Sequence, residues 1–491
     1  MTGWPDQPVI YEVNTLIWLG ELSRRHGRPV TLGDVPAAAW DEVALPGIDA
    51  VWLMGVWERS PAGLRIALRN DALQASFREA LPDLRPEDIA GSPYCVRDYV
   101  VAGALGGPGG LAAARAELAA RGVRLVLDYV PNHVAPDHPW PADRPDCLIQ
   151  GDADDLAEFP DAFLEAAGHI FARGRDPYFP PWPDVVQLNA FSDQLRSATV
   201  DTLASIGDQA DGVRCDMAML LTNDVFAKTW GDRAGAPPAE DFWAYVIPQV
   251  RQRHPDLLLV AEAYWDYEWA LQQQGFDHCY DKRLYDRLLH EGPGSVRAHL
   301  LADLTYQRGL VRFLENHDEP RAAATMSPEH ERAAAVAIAT LPGATLWHEG
   351  EFEGRRVRPP VFLSRRPDEP ADEPLRDFHH QLLAAVHSTG MRSGHWQLLD
   401  PTGWPDNPTH QNLLVWSWTD GPHRHLVVIN LSDHPAQGHI PLPWNDLPRC
   451  PHRLTDLLAG TIYERSGDDL AAPGLFVALD AWGWHLLSLE T

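Results

Sequence analysis

Asp211-Gly-Val-Arg-Cys-Asp216 decides how the rest of the chain is read. It has the composition of a buried strand that ends in a charge. Gly212, Arg214 and Asp216 share one parity, so in extended backbone their side chains leave one face. Asp216 then stands one pleat beyond Arg214, and a guanidinium that near favours the ionised carboxylate. Such a carboxylate serves as a nucleophile or as a brake on a developing positive charge. An isolated R-x-D is more often a structural ion pair. Here three further strand-like runs also end in acids, at the spacing of a repeated strand–helix unit.

Upstream of that stretch, residues 9–13, 49–54 and 123–128 are β-rich runs; downstream, 257–262, 276–280, 310–315 and 344–348 continue the series. Helical patterns fall between them at 37–45, 111–121, 192–210, 242–254, 269–274, 282–301 and 329–340, with a last one at 375–387. Gly122 closes the Ala-rich second of these as a C-cap. Eight strands and about eight helices in alternation predict an α/β fold, a (β/α)8 TIM barrel. A doubly wound sheet is the runner-up, but no G-x-G-x-x-G follows any strand. Residues 134–184 lack periodicity and are rich in Pro, Asp and aromatics, which suggests a small inserted domain after strand three. Beyond about residue 395, strands alternate with turn residues, as in an all-β sandwich. The expected division is therefore a barrel from 1–133 and 185–394, an insert at 134–184 and a C-terminal β-sandwich at 395–491.

A chain of 491 residues buries a large core, so stability needs no staples. Its formal charge of −29 argues against nucleic acid or an anionic membrane as partner. Five scattered cysteines without C-x-x-C suggest buried thiols in a reducing compartment. Residues 1–8 lack a basic segment followed by an apolar one, so no signal peptide is expected, and no apolar run reaches membrane-spanning length. These features together favour a cytoplasmic location.

In a (β/α)8 barrel reactive groups gather at the C-terminal ends of the strands. The residues placed there are Asp128 with Asn132 and His133, Arg214 with Asp216, Glu262, and His317 with Asp318. Four acids around one opening are costly unless a reaction uses them. Glycoside cleavage needs such a set: an ionised carboxylate at the anomeric carbon and a protonated acid at the leaving oxygen. Asp216 beside Arg214 suits the first role. Glu262, after the apolar Leu257-Leu-Leu-Val-Ala, suits the second, because desolvation raises its pKa.

These segments resemble the signature regions of the α-amylase family of glycoside hydrolases. Asp128-Tyr-Val-Pro-Asn-His133, Gly212-Val-Arg-Cys-Asp216, Glu262 and Glu315-Asn-His-Asp318 resemble its four ordered regions. Tyr94-Cys-Val-Arg-Asp-Tyr99 resembles the segment before the third strand, and Gln187-Leu-Asn189 the additional motif of the inserted domain. The resemblance implies a retaining α-glycosidase of short α-glucans or small α-glucosides. Asp216 would be its nucleophile, Glu262 its general acid/base, and Asp318 the group that grips sugar hydroxyls and favours the distorted transition state. Arg214 would orient Asp216, His133 and His317 would bind the ring, Tyr94 would be its stacking platform, and Asp128 would organise the pocket floor or brace Arg214. No cofactor is required on this reading; Asn132 leaves calcium open. The family's amylases often carry Lys-His where this chain has Met219-Leu220, which suggests a short or unusual acceptor and a more apolar acceptor side. A transglycosidase with the same carboxylates is the near alternative, and an inactive scaffold the remote one.

Three smaller features stay open in the sequence. Trp57, Tyr264 and Trp265 line sugar subsites or simply pack. Arg173 and Arg175 bind an anionic acceptor or are locally paired. The terminal sandwich binds carbohydrate or covers the barrel.

Overall fold

In the computed structural model, which describes residues 3–447 and 450–490, eight parallel strands pair edge to edge and close on themselves. They are β1 (Val9–Asn14), β2 (Ala50–Met54), β3 (Arg124–Tyr129), β4 (Gly212–Cys215), β5 (Leu258–Ala261), β6 (His278–Tyr280), β7 (Leu310–Arg312) and β8 (Ala344–His348). Around the ring the order is β1-β8-β7-β6-β5-β4-β3-β2. These are the eight runs read from the sequence, with ends that differ by at most three residues. Met1 and Thr2, which open the segment read for a leader, lie outside the described residues.

Parity governs what each strand buries. In register, Gly212 faces Val126 and Leu258, and Arg214 faces Asp128 and Val260. Ile10, Trp52, Val126, Leu258, Val260, Tyr280, Val311 and Leu346 fill one cluster inside the ring. The alternate residues, such as Leu125, Leu127, Val213, Cys215 and Leu259, pack outward against the helices. Gly212 is small for a reason: a Cβ there would meet Leu258 Cβ and Val126 Cγ2 at 3.2 Å each. The glycine lets three strands approach below the charged layer.

The outer ring includes Gly107–Ala120, Asp193–Gly207, Phe242–Arg253, Pro328–Thr340 and Glu373–Thr389. Two features differ from the sequence reading. A helix follows β1 directly, Thr15–His26, capped by the Asn14 side chain and ended by Gly27 at φ 63°. The single helix expected at 282–301 is two, Lys282–His290 and Pro293–Leu300. Pro293 lacks an N–H to continue the first helix and sits at the first turn of the second, where that donor is not needed.

Between β3 and the helix Asp193–Gly207 the chain makes the inserted unit. Its strand Phe163–Ala166 pairs antiparallel with His169–Ala172 across Ala167-Gly168, both at positive φ as a tight hairpin demands. His133–Val134 pairs with Val186–Gln187 at its base.

The C-terminal strands are β9 (His395–Leu399), β10 (Leu413–Asp420), β11 (His423–Asn430), β12 (Ala436–Ile440), β13 (Pro451–Asp456), β14 (Ile462–Ser466), β15 (Leu475–Leu479) and β16 (Trp484–Glu490). They form a six-stranded sheet, β9-β10-β11-β16-β13-β14, and a pair, β12-β15. The two enclose a core of Leu413, Val415, Val428, Ile440, Val477 and Leu487. An α-helix, Gly467–Ala471, and a 3-10 turn, Thr409–Asn412, interrupt the otherwise all-β unit. The other face of the large sheet, with Trp416, Trp418 and Ile429, joins the barrel's own core. Trp418 Nε1 donates to the Thr340 carbonyl at 2.7 Å. The sheet therefore covers the barrel. Four cysteines are buried as the sequence suggests, but Cys450 is exposed. Among the described residues no helix is long and apolar enough to cross a membrane.

Candidate active site

The site is built on Arg214. Its guanidinium is buried among the aromatic faces of Trp52, Tyr94 and Tyr280, 5.2–5.7 Å from their centroids. Nη1 lies 2.7 Å from Asp216 Oδ1 and Nη2 2.7 Å from Glu262 Oε2. Asp128 Oδ1 stands further off, at 4.0 Å. One cation thus joins the ends of β4 and β5. Parity foretells the hydrogen bond to Asp216; the contact with Glu262 is an ion pair whose geometry is not that of a hydrogen bond, and it carries no local signature, because it joins separate strands.

Glu262 accepts from two donors. The Met217 backbone N–H reaches Oε2 at 2.7 Å, and the Tyr264 hydroxyl donates to Oε1 at 2.9 Å. Met217 is at φ 42°, a left-handed conformation that turns its N–H back across the strand ends. Burial nevertheless dominates: it pushes Glu262 up to about 7, Arg214 opposing and Asp216 adding to the rise. Burial also lifts Asp216 above its ordinary value, against the pull of Arg214. The sequence reading, in which Arg214 alone sets the charge of Asp216, omits this desolvation. Two acids on one guanidinium titrate as a pair, and their protons belong to both.

Across the opening, His317 lies between two acids. Nδ1 is 2.5 Å from Glu12 Oε1, and Nε2 is 3.0 Å from Asp318 Oδ2 and 2.8 Å from the Tyr94 hydroxyl. Burial disfavours an imidazolium, yet Asp318 and Glu12 push His317 well above its usual range. In turn, against desolvation, His317 holds Asp318 well below the usual carboxylate range. The Tyr94 ring stacks on His317 at 5.3 Å and 22°. Glu12 is fully buried on β1, and sequence reasoning missed it. The available signal was an acid inside an apolar strand, Val-Ile-Tyr-Glu-Val, on the inward parity.

Asp128 is engaged by the end of β2. It accepts from Trp52 Nε1 at 3.1 Å and from the Gly55 N–H at 2.8 Å, and burial pushes it up to about 6. These bonds brace the end of β2. Trp57 is buried and donates to the Asp128 carbonyl, a packing role. The His133 ring lies 5.1 Å from Trp182 of the insert; burial pushes it down to about 4, so it is neutral at pH 7. Trp265 is half-buried at φ 62° and meets Tyr178 of the insert edge-on at 4.8 Å.

Other residues singled out in the sequence are engaged elsewhere. Met219 and Leu220 are 0% and 2% exposed, inside the turn Ala218–Leu221. Neither presents surface to an acceptor, which corrects the inference of a more apolar acceptor side. Arg173 donates to the Pro183 carbonyl, and Arg175 donates to Thr229 O and lies over Trp230. Both are locally paired. Asn132 Oδ1 accepts from Gln187 Nε2 at 2.9 Å. Among the described residues no group of three or more His, Cys, Asp or Glu is gathered to hold a metal ion.

A closed (β/α)8 barrel with an insert after β3, a C-terminal antiparallel sheet and acids at its strand ends carries the resemblance to the α-amylase family of glycoside hydrolases into the structure. Comparison with known proteins agrees. The chain is 25% identical over 482 residues to alpha-amylase MalA of Haloarcula japonica, across 95% of this chain and 60% of that protein. It is 21% identical over 271 residues to alpha-amylase 3 of Dictyoglomus thermophilum, half of each chain. It thus spans at most about 60% of the length of these relatives. No family model matches. Among solved structures, a maltogenic alpha-amylase AmyB from Thermotoga neapolitana superposes with TM-score 0.68 at 19% identity, over 99% of both chains. An alpha-amylase from Geobacillus thermoleovorans complexed with acarbose gives 0.67 at 17%, over all of both. A debranching enzyme from Nostoc punctiforme gives 0.65 at 16%, over 99% and 98%. At these identities the structural likeness is one of fold.

Proposed function

We propose that the protein is a cytoplasmic, retaining α-glycosidase of short α-glucans or small α-glucosides, with the domain division read from the sequence. The observation that carries this reading is the pair Asp216 and Glu262 held by the two ends of one guanidinium at 2.7 Å each. A retaining mechanism needs its two carboxyls close, about 5–5.5 Å apart, whereas an inverting one leaves room for a water between them. A shared cation draws the two together.

In the reaction Asp216 attacks the anomeric carbon and forms a glycosyl ester. Glu262, pushed up to about 7 by burial, holds a proton at neutral pH and delivers it to the leaving oxygen. It then takes a proton from the incoming water, and the second displacement restores the α-configuration. Asp318, held ionised by His317, accepts from sugar hydroxyls, and Tyr94 offers its ring face to the sugar. Asp128 and Glu12 act through others: the first braces β2, the second fixes the tautomer and charge of His317.

Proton NMR of a panel of α-glucosides incubated with the protein tests this. The expected result is α-anomeric free sugar. A β-anomeric product contradicts retention, and new glycosidic signals with little free sugar make the protein a transglycosidase. No turnover across the panel favours the inactive scaffold.

A further inference from the structure

A cavity of about 310 Å³ opens at the N-terminal mouth of the barrel, the end opposite Asp216 and Glu262. It lies where the helix Glu373–Thr389 hands the chain over to β9. One flank is apolar, with Trp347, Leu383 and Val386. Another carries Arg392, only 8% exposed. Its Nη1 donates to Thr345 Oγ1 at 3.1 Å and its Nη2 to the Gly343 carbonyl, while Nε has no partner. Among the described residues Arg392 forms no salt bridge; Asp49 acts on it only at longer range. Asp49 lines the same cavity and accepts the Val9 N–H at 2.8 Å. An acid and a base therefore face one hollow without meeting. Burial drives Asp49 up and Arg392 down to about 10, as expected of charges short of partners.

A buried guanidinium that bonds only neutral acceptors is costly, and the missing partner is an oxyanion. We propose that this cavity is a second, non-catalytic site for a small hydroxylated oxyanion, a sugar phosphate or a hydroxycarboxylate. Arg392 takes the oxyanion, Asp49 accepts from a hydroxyl, and the carbon skeleton lies on the apolar flank. The volume falls at the small end of the range for such ligands. The guanidinium fork suits phosphate and carboxylate alike. Arg308 and Asp6, both exposed on the lining, add one charge of each sign at the mouth, so the buried Arg392 is the cation the oxyanion meets inside. None of these residues takes part in the reaction described above.

Isothermal titration calorimetry on the full chain at fixed ionic strength decides it, with glucose 6-phosphate, gluconate, inorganic phosphate and glucose as probes. The expected result is saturable, one-to-one binding of glucose 6-phosphate or gluconate, tighter than inorganic phosphate, and the tighter of the two names the anionic group. Val386→Trp, which adds bulk on the apolar flank and leaves Arg392 itself in place, should abolish that binding and leave any glucose binding unchanged. Arg392→Lys should weaken it at least tenfold. Because Arg392 also braces β8, the cavity-filling variant decides if the Lys variant folds poorly. Absence of saturable anion binding overturns the proposal and leaves Arg392 as a brace alone. Wild-type affinity in Val386→Trp, or glucose binding as tightly as the anions and lost with them, overturns it as well.

Discussion

Tyr264 donates to Glu262 Oε1, and such a bond favours the ionised carboxylate. Tyr264→Phe removes it, so the proton on Glu262 should be held to higher pH. The acid form is lost as pH rises through about 7, which sets the alkaline limb of kcat/KM. That limb should lie near pH 7 in the wild type and move upward in Tyr264→Phe; an unmoved limb would separate Tyr264 from the proton donor. Glu12→Gln takes an anion from His317 Nδ1. A hydrogen bond to a charged group contributes about 1.5–3 kcal/mol, so kcat/KM should fall roughly 10- to 150-fold with the fold intact by circular dichroism. The Arg214–Asp216 contact was legible because both residues lie on one strand, two apart, and parity alone brings them together. Glu12 and His317 are 305 residues apart, and neither segment advertises the other. Met219 and Leu220 show the reverse limit: position after the nucleophile suggested an acceptor wall, while burial in the core decided otherwise.

At the scale of elements, Gly212 limits how closely β4 fits between β3 and β5. A Cβ at 3.2 Å from two neighbours forces both to give. Gly212→Ala should destabilise the protein by about 1–3 kcal/mol, read as a lower midpoint in urea. It should also lower activity, because Arg214 and Asp216 ride on the same strand. A midpoint equal to wild type would mean that the barrel opens there at little cost. The strands themselves were legible because each is a short β-rich run followed by turn residues. The helix Thr15–His26 was not, since it follows β1 without a break and its caps, Asn14 and Gly27, read equally well as a turn; its basic last turn, Arg24-Arg25-His26, was a helix signal passed over. The break at Gly292-Pro293 was visible in the residue types and was passed over by the longer helical pattern.

Over the whole molecule, buried groups set how stability depends on pH. Burial pushes Glu331 up to about 8 and Glu262 up to about 7, while Asp318 and Glu12 overcome burial to raise His317. Each binds a proton in the folded chain that the unfolded chain releases at lower pH. Their stabilisation is complete below the unfolded values and is lost as pH rises through the folded ones. Histidines that burial pushes down to about 4, such as His278 and His379, are neutral in both states above about 7 and do not oppose this. The melting temperature should therefore fall between about pH 7.5 and 8.5, above the range in which the unfolded histidines titrate. Glu331→Gln should flatten that fall, because Glu331 Oε1 is buried without a partner. A melting temperature that rises over the same interval would mean that these acids are solvated in the folded state.

The claim on which the rest depends is that Asp216 becomes covalently attached to the sugar. In Glu262→Gln, α-glucosyl fluoride can still form the ester, since fluoride leaves without a proton, but the missing base slows its hydrolysis. Mass spectrometry of that variant after brief exposure should show one added glucosyl unit, on the peptide that contains Asp216 and lost in the double variant with Asp216→Asn. No adduct, or an adduct on a different residue, would contradict the assignment.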